Sequence, residues 1–322
     1  MPFILSVKDA YRQAVEAASN GKNTVMYDDK GNPSIMVMVP RFNISDVIQG
    51  GANTPHPAFI VNGVVKSEIW ISKYQNILHD NRAYSIPGQD PRASIQYDTA
   101  KSACEAKGPG WHLMTNAEWA AIALWCKANG FQPRGNNNYG ADTSAPYERG
   151  KETYKADATR TGRVATGSGP ASWAHDNTPA GIYDLNGNVW EWVQGLKIID
   201  GIAYVMTDNN FTDAESAWVN TGVNITTGMS SGNRILTMRE GAIPNTPSMD
   251  WSTLGIPATS SSSGSADYGT DGYWFNAEGE RLPFRGGNWG SGAGAGVFAL
   301  DLNAPRSYVN TRLGFRSAFV SL

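Results

Sequence analysis

Beyond residue 130 the sequence carries no long run of apolar residues at helical spacing; short strand-like runs alternate with glycine-rich turns. Such a stretch builds a core only by stacking many short strands joined by irregular turns. Composition supports this. Glycine supplies 35 residues, tryptophan 11, tyrosine 13 and phenylalanine 10, and only 17% of residues are charged, against about 25% in an average soluble protein. Large aromatics must therefore organise a loop-rich interior. The helical patterns come earlier. Val7, Ala10, Tyr11, Ala14, Val15 and Ala18 recur at helical spacing, and Gly21 ends the run. A second helix is expected from about Tyr97 to Lys107. Thr115-Asn116-Ala117-Glu118 has the spacing of a capping box, opening a third helix that reaches Asn129-Gly130. Helices early and irregular strands late predict an α+β fold.

A length of 322 residues exceeds the roughly 100–200 of one ordinary domain. Two apolar runs, Thr24–Tyr27 and Ser34–Val39, flank the turn Asp28-Asp29-Lys30-Gly31-Asn32-Pro33 and predict a hairpin. The Gly50-Gly51-Ala52-Asn53-Thr54-Pro55-His56-Pro57 stretch reads as a linker. Residues 1–55 are thus expected to form a small helix-plus-hairpin appendage, and 56–322 the main domain. Thr259 to Gly272, with its serine run, reads as a flexible low-complexity loop.

The net charge of −3, from 26 basic and 29 acidic residues, argues against a nucleic-acid partner. No apolar stretch approaches the ~20 residues of a membrane span, and the charged start Met1-Pro2-Phe3-Ile4-Leu5-Ser6-Val7-Lys8-Asp9 does not read as a secretory signal. Cys104 and Cys126 are expected as two buried thiols, a single bridge being the alternative. His56, His79, His112 and His175 lie far apart without ligand spacing. Phosphate-binding, dinucleotide, zinc and nucleophile-elbow motifs are all missing.

Two stretches stand out. In Gly181–Val193, the residues Asp184, Asn186, Asn188 and Glu191 crowd a glycine turn ahead of Trp190-Glu191-Trp192. A hard cation could bind the side chains of Asn186 and Glu191 with the carbonyls of Gly187 and Val189. The alternative is a metal-free turn held by hydrogen bonds, with Trp190 and Trp192 on opposite faces. The second stretch, Arg281–Val320, sets small and polar residues between Arg285-Gly286-Gly287-Asn288-Trp289 and Gly314-Phe315-Arg316. Read alone, it is a tolerant surface loop with Arg285 and Arg316 in buried ion pairs.

Together with Trp70–Tyr74 and Gly110–Trp119, these stretches resemble the formylglycine-generating-enzyme branch of the C-type lectin fold. The resemblance covers about 58–322, interrupted by an insertion near 197–275. It implies a C-type lectin-like domain of short antiparallel strands and two helices, and a calcium site at Asn186, Gly187, Val189 and Glu191. The family's oxidases place active cysteines between the Arg-Gly-Gly and Gly-Phe-Arg elements, where this chain has none. An oxidase or oxygenase would need a relocated site using Cys104 or Cys126.

The chain is more similar to the variable proteins of diversity-generating retroelements, non-enzymatic relatives whose C-terminal segment is rewritten at adenines. That resemblance implies a variable region at 285–316. Gly290, Ser291, Gly294, Asp301, Ala304, Tyr308 and Arg312 are all reachable from asparagine codons by adenine substitution. Asn303 and Asn310 would be unaltered, and Leu313 reachable from an isoleucine codon. These ten residues are the expected ligand-binding set, with Tyr308 as anchor and Arg312 next. The resemblance implies a cell-surface protein or glycan receptor as partner and a virion position after cytoplasmic synthesis. No cofactor is required beyond the possible Ca²⁺.

Overall fold

The computed structural model describes residues 9–246 and 248–322. Its first helix spans Ala10–Ala18, and the Asp9 carboxylate caps it by accepting from the Arg12 N–H at 2.9 Å. Val7, expected on this helix, lies outside the described residues. The hairpin forms as expected, between Asn23–Tyr27 and Pro33–Pro40. Asp28 closes its turn by accepting from the N–H groups of Lys30 and Asn32 at 3.0 and 2.7 Å.

The N-terminal segment is not an appendage. Pro33–Pro40 pairs with Glu68–Ser72, which pairs with Ser317–Phe319, which in turn pairs with Trp111–Leu113. The hairpin is therefore the edge of a five-stranded sheet. The cause is visible in Ile35-Met36-Val37-Met38-Val39, apolar at every position. A strand apolar on both faces needs cover on both, and an isolated hairpin provides none. Val37 and Val39 enter the same core cluster as Ile69, Ile71 and Met114. The expected linker also folds back onto the body, with His56 buried and its Nε2 3.0 Å from the Thr253 carbonyl.

The capping box is present. Thr115 Oγ1 accepts from the Glu118 N–H at 3.1 Å, and Glu118 Oε2 accepts from the Thr115 N–H at 2.9 Å. The helix it starts, Asn116–Ala128, is buried on nearly every side, as a helix apolar all round must be. Tyr97–Glu105 forms the helix that carries Cys104. Both cysteines are free thiols and fully buried.

A ten-stranded sheet holds the rest. At its centre, Glu280–Gly286 pairs antiparallel with Gly296–Ala304, which pairs in parallel with Gly272–Phe275. Trp190–Trp192 joins between Glu280–Gly286 and Leu313–Phe315. The insertion near 197–275 extends the sheet, supplying Ile202–Val205, Val219–Asn224, Asn233–Met238 and Pro257–Ser261. Part of the expected flexible loop is thus a strand, with Thr259 opposite Thr237. Trp190 and Trp192 do not face opposite ways. Both pack edge-on against Phe284, at 5.3 and 5.2 Å between ring centroids, because residues two apart on a strand share a face.

Candidate functional site

The arginines bracketing segment 285–316 tie it down by different chemistry. Arg316 forms the expected buried ion pair, its Nε and Nη2 reaching the two oxygens of Glu191 at 2.5 and 2.6 Å. It also donates to the carbonyls of Ser72 and Tyr183, both at 3.0 Å. Among the described residues Arg285 has no carboxylate partner, contrary to expectation. It donates instead to Asn116 Oδ1 at 2.7 and 3.0 Å and to the carbonyls of Leu254, Gly255 and Phe298. Several carbonyl dipoles on a planar fork can satisfy a buried guanidinium without a counter-charge.

Beside Glu191, the candidate cation ligands converge on a side chain that sequence reasoning missed. Gln75 Nε2 donates to the carbonyls of Asp184, Gly187 and Val189 at 3.1, 3.3 and 3.0 Å, and to Glu191 Oε1 at 3.0 Å. Its orientation follows from an unambiguous donor. The Val164 N–H donates to Asn188 Oδ1 at 2.9 Å, which turns Asn188 Nδ2 towards Gln75 Oε1, also at 2.9 Å. The amide nitrogen must then face the carbonyls. Asn186 turns away, bonded to Asn137 and to the Pro133 carbonyl. Both Glu191 oxygens already serve Arg316. The four residues therefore do not fit a Ca²⁺ ion, because the Gln75 amide fills the point where the Gly187, Val189 and Glu191 oxygens meet and Asn186 faces elsewhere. The melting temperature is expected to be the same in millimolar calcium and in chelator; a calcium-dependent rise of several degrees would restore the metal site.

The candidate binding residues divide. Asp301, Asn303, Ala304, Tyr308, Asn310, Arg312 and Leu313 line one groove of about 390 Å³ together with Trp190, Phe284, Asn288 and Pro305. Gly290, Ser291 and Gly294 lie outside its lining. Ser291 is half-buried and its Oγ accepts from the Asn288 N–H at 3.0 Å; Gly294 is buried beneath the Arg234 guanidinium. Four of the ten are not exposed display positions, contrary to expectation. Gly294, Asp301, Ala304 and Leu313 are buried, and Leu313 belongs to the core cluster of Trp190 and Phe315. Asn303, Tyr308 and Arg312 are exposed on the rim.

The scaffold beneath the rim is ionic. Arg306 pairs with Glu215 at 2.6 Å, Asp98 at 2.7 Å and Glu280 at 3.2 Å, fixing the loop that carries Tyr308. Arg312 lies over the Trp289 ring, 5.4 Å from its centroid. Among the described residues Asp301 has no such partner. Desolvation pushes its carboxyl up to about 6, opposed only by bonding from Asn303. The folded protein then holds a proton that the unfolded chain releases near pH ~4. Stability falls as pH rises through about 4 to 6 and stays lowered above. Asp301→Asn should be more stable than the parent at neutral pH by about 1–3 kcal/mol, and indistinguishable in melts below pH ~4. Equal stability at both would mean Asp301 is not strained by burial.

A larger cavity, about 730 Å³, opens between the 130–144 loop and residues 266–271 and 293–298. Its buried polar groups are already engaged. Asp142 accepts from Gly135, Asn137 and Ser144, and Asn137 Oδ1 accepts from Thr143. Neither cysteine lines this cavity or the groove.

Among solved structures, PvdO from Pseudomonas aeruginosa is 17% identical over 92% of this chain and 97% of its own, with a TM-score of 0.39. Treponema denticola variable protein 1 is 14% identical over 92% and 98%, with a TM-score of 0.36. The Major Tropism Determinant U1 variant is 12% identical over 92% and 71%, with a TM-score of 0.32. No curated protein matches the chain. The family model of the sulfatase-modifying factor enzyme 1-like domain matches residues 15–319, beginning inside the first helix and running through the strand Ser317–Phe319. The α+β fold with its C-type lectin-like arrangement of short strands is that of this family, and the chain belongs to it.

Proposed function

We propose that this chain is a binding protein, presenting side chains of segment 285–316 to a cell-surface protein or glycan receptor, and that it is not an oxidase. The observation that carries this is the division of labour along Gly296–Ala304 and the loop after it. Leu300 and Leu302 point into the main core, while Asp301 and Asn303 line the groove. Arg306 then anchors a loop whose Asn303, Tyr308 and Arg312 neighbours stay exposed. Exposed side chains on a backbone held from below can change with little effect on stability. Oxidase chemistry would need a reachable thiol, and burial pushes both Cys104 and Cys126 further towards the inert neutral form.

Diversification by a retroelement, with assembly on a virion, is the origin that best accounts for such a surface. The decisive observation is genomic: a near-copy of the 285–316 coding segment beside a reverse transcriptase, differing only at adenines. Its absence removes the retroelement from the reading. The surface itself is tested by randomising Asn303, Tyr308, Asn310 and Arg312 together and selecting against an arbitrary protein. Most members should melt within a few degrees of the parent, and the selection should yield binders. If most members unfold, the segment is ordinary core and the binding reading fails.

A further inference from the structure

Asp301 sits in the groove with aromatic side chains on its neighbouring strands. It lies opposite Phe284 on one side and Trp274 on the other, and residues opposite each other in a ladder project to the same face. Trp190 meets both of those rings edge-on, at 5.3 Å from Phe284 and 5.5 Å from Trp274. Asp301 is only 9% exposed, yet it lines the open groove. Among the described residues it joins no ion pair, and Asn303 alone hydrogen-bonds it, through its N–H to Oδ1 at 2.7 Å. The neighbouring cations are committed elsewhere, Arg306 to three carboxylates and Arg312 to the Trp289 ring.

An unpaired anion in an aromatic cleft is costly to bury until a cation arrives, and ring faces attract the same cation. A neutral hydroxyl supplies one hydrogen bond but leaves the charge unbalanced. Of the groove's amides, Asn310 is engaged through both its atoms and Asn288 through its oxygen. Asn310 Nδ2 donates to the Tyr308 hydroxyl and its Oδ1 accepts from the Arg312 N–H, both at 2.9 Å. Asn288 Oδ1 accepts from the Gly290 N–H at 2.8 Å.

We propose that Asp301, with the rings of Trp190, Phe284 and Tyr308, forms a subsite for the ammonium or guanidinium of a lysine or arginine side chain on a protein partner. This rests on reading the groove as a binding surface and names what it recognises there. Asp301, Trp190 and Phe284 are buried parts of the groove, and the exposed Asn303, Tyr308 and Arg312 surround them.

The test follows the indole N–H signals of Trp190 and Trp274 by NMR during titration with Nα-acetyl-lysine methylamide. The parent should show saturable shifts, and the uncharged Nα-acetyl-norleucine methylamide should show none. Asp301→Asn should weaken the lysine probe about tenfold or more while remaining folded in thermal melts. The proposal is overturned if the norleucine probe or methyl glucoside binds as well as the lysine probe. It is equally overturned if Asp301→Asn binds unchanged, or if the parent shows no shift at tens of millimolar probe. Failure here with binders still emerging from the randomised surface removes the cation subsite alone; unfolding of the randomised members removes the binding surface with it.

Discussion

Arg316→Ala should lower the unfolding free energy by about 3–5 kcal/mol, seen in denaturant titration as a lower midpoint with an unchanged slope. The pair it breaks is sealed from solvent, with side chains 0% and 1% exposed. Removal leaves Glu191 charged in the interior and strips a donor from the carbonyls of Ser72 and Tyr183. Gln75 returns only one hydrogen bond to Glu191, at 3.0 Å. Replacing both members with leucine should recover much of the loss, because the penalty comes from an unpaired charge rather than from a missing attraction. A loss below about 1 kcal/mol would mean that water reaches Glu191.

Trp192→Ala should cost about 3–5 kcal/mol, as expected when a large aromatic leaves a core, whereas Tyr308→Ala should stay within about 0.5 kcal/mol. Trp192 is fully buried, packs edge-on against Tyr97 at 5.8 Å and Phe284 at 5.2 Å, and donates its indole N–H to the Ile95 carbonyl at 2.9 Å. Tyr308 is 38% exposed, and among the described residues its hydroxyl bonds only to Asn310, itself on the rim. Thermal melts of the two variants side by side give the contrast. Comparable losses at both positions would make the rim part of the core, and the proposed binding surface would fall.

Local chemistry was legible in the sequence where it is written in consecutive residues. The capping box at Thr115–Glu118 and the turn at Asp28–Pro33 depend on neighbours within a few positions, so spacing revealed them. Long-range pairing was not legible. Nothing adjacent to Pro33–Pro40 indicates that Glu68–Ser72 will cover its open edge, although the doubly apolar run shows that some cover is required. The candidate segment was picked out by its two bracketing arginines and its small polar residues, and most of the ten candidate residues share one groove. Reachability by adenine substitution misjudged individual exposure there. Leu313 stands opposite Trp190 in a buried strand, and Gly294 is covered by Arg234 from the insertion. Gln75 was invisible for a different reason. A lone glutamine carries no motif, and only the meeting of three carbonyls and Glu191 around its nitrogen makes it significant.

The strand Ser317–Phe319 is an interior member of the five-stranded sheet, between Glu68–Ser72 and Trp111–Leu113. Two residues earlier, Leu313–Phe315 closes against Trp190–Trp192 in the other sheet. During synthesis, a ribosome must therefore release residues 313–319 before either sheet is complete. Until then Glu68–Ser72 and Trp111–Leu113 are parted by a missing neighbour, and each exposes an unpaired ladder to other chains. Pairings that span more than a hundred residues also make the search for the native state slow. The nascent protein thus depends on whatever shields open strand edges in the cell, and a sequence change between 290 and 312 arrives too late to alter how the preceding body begins to fold.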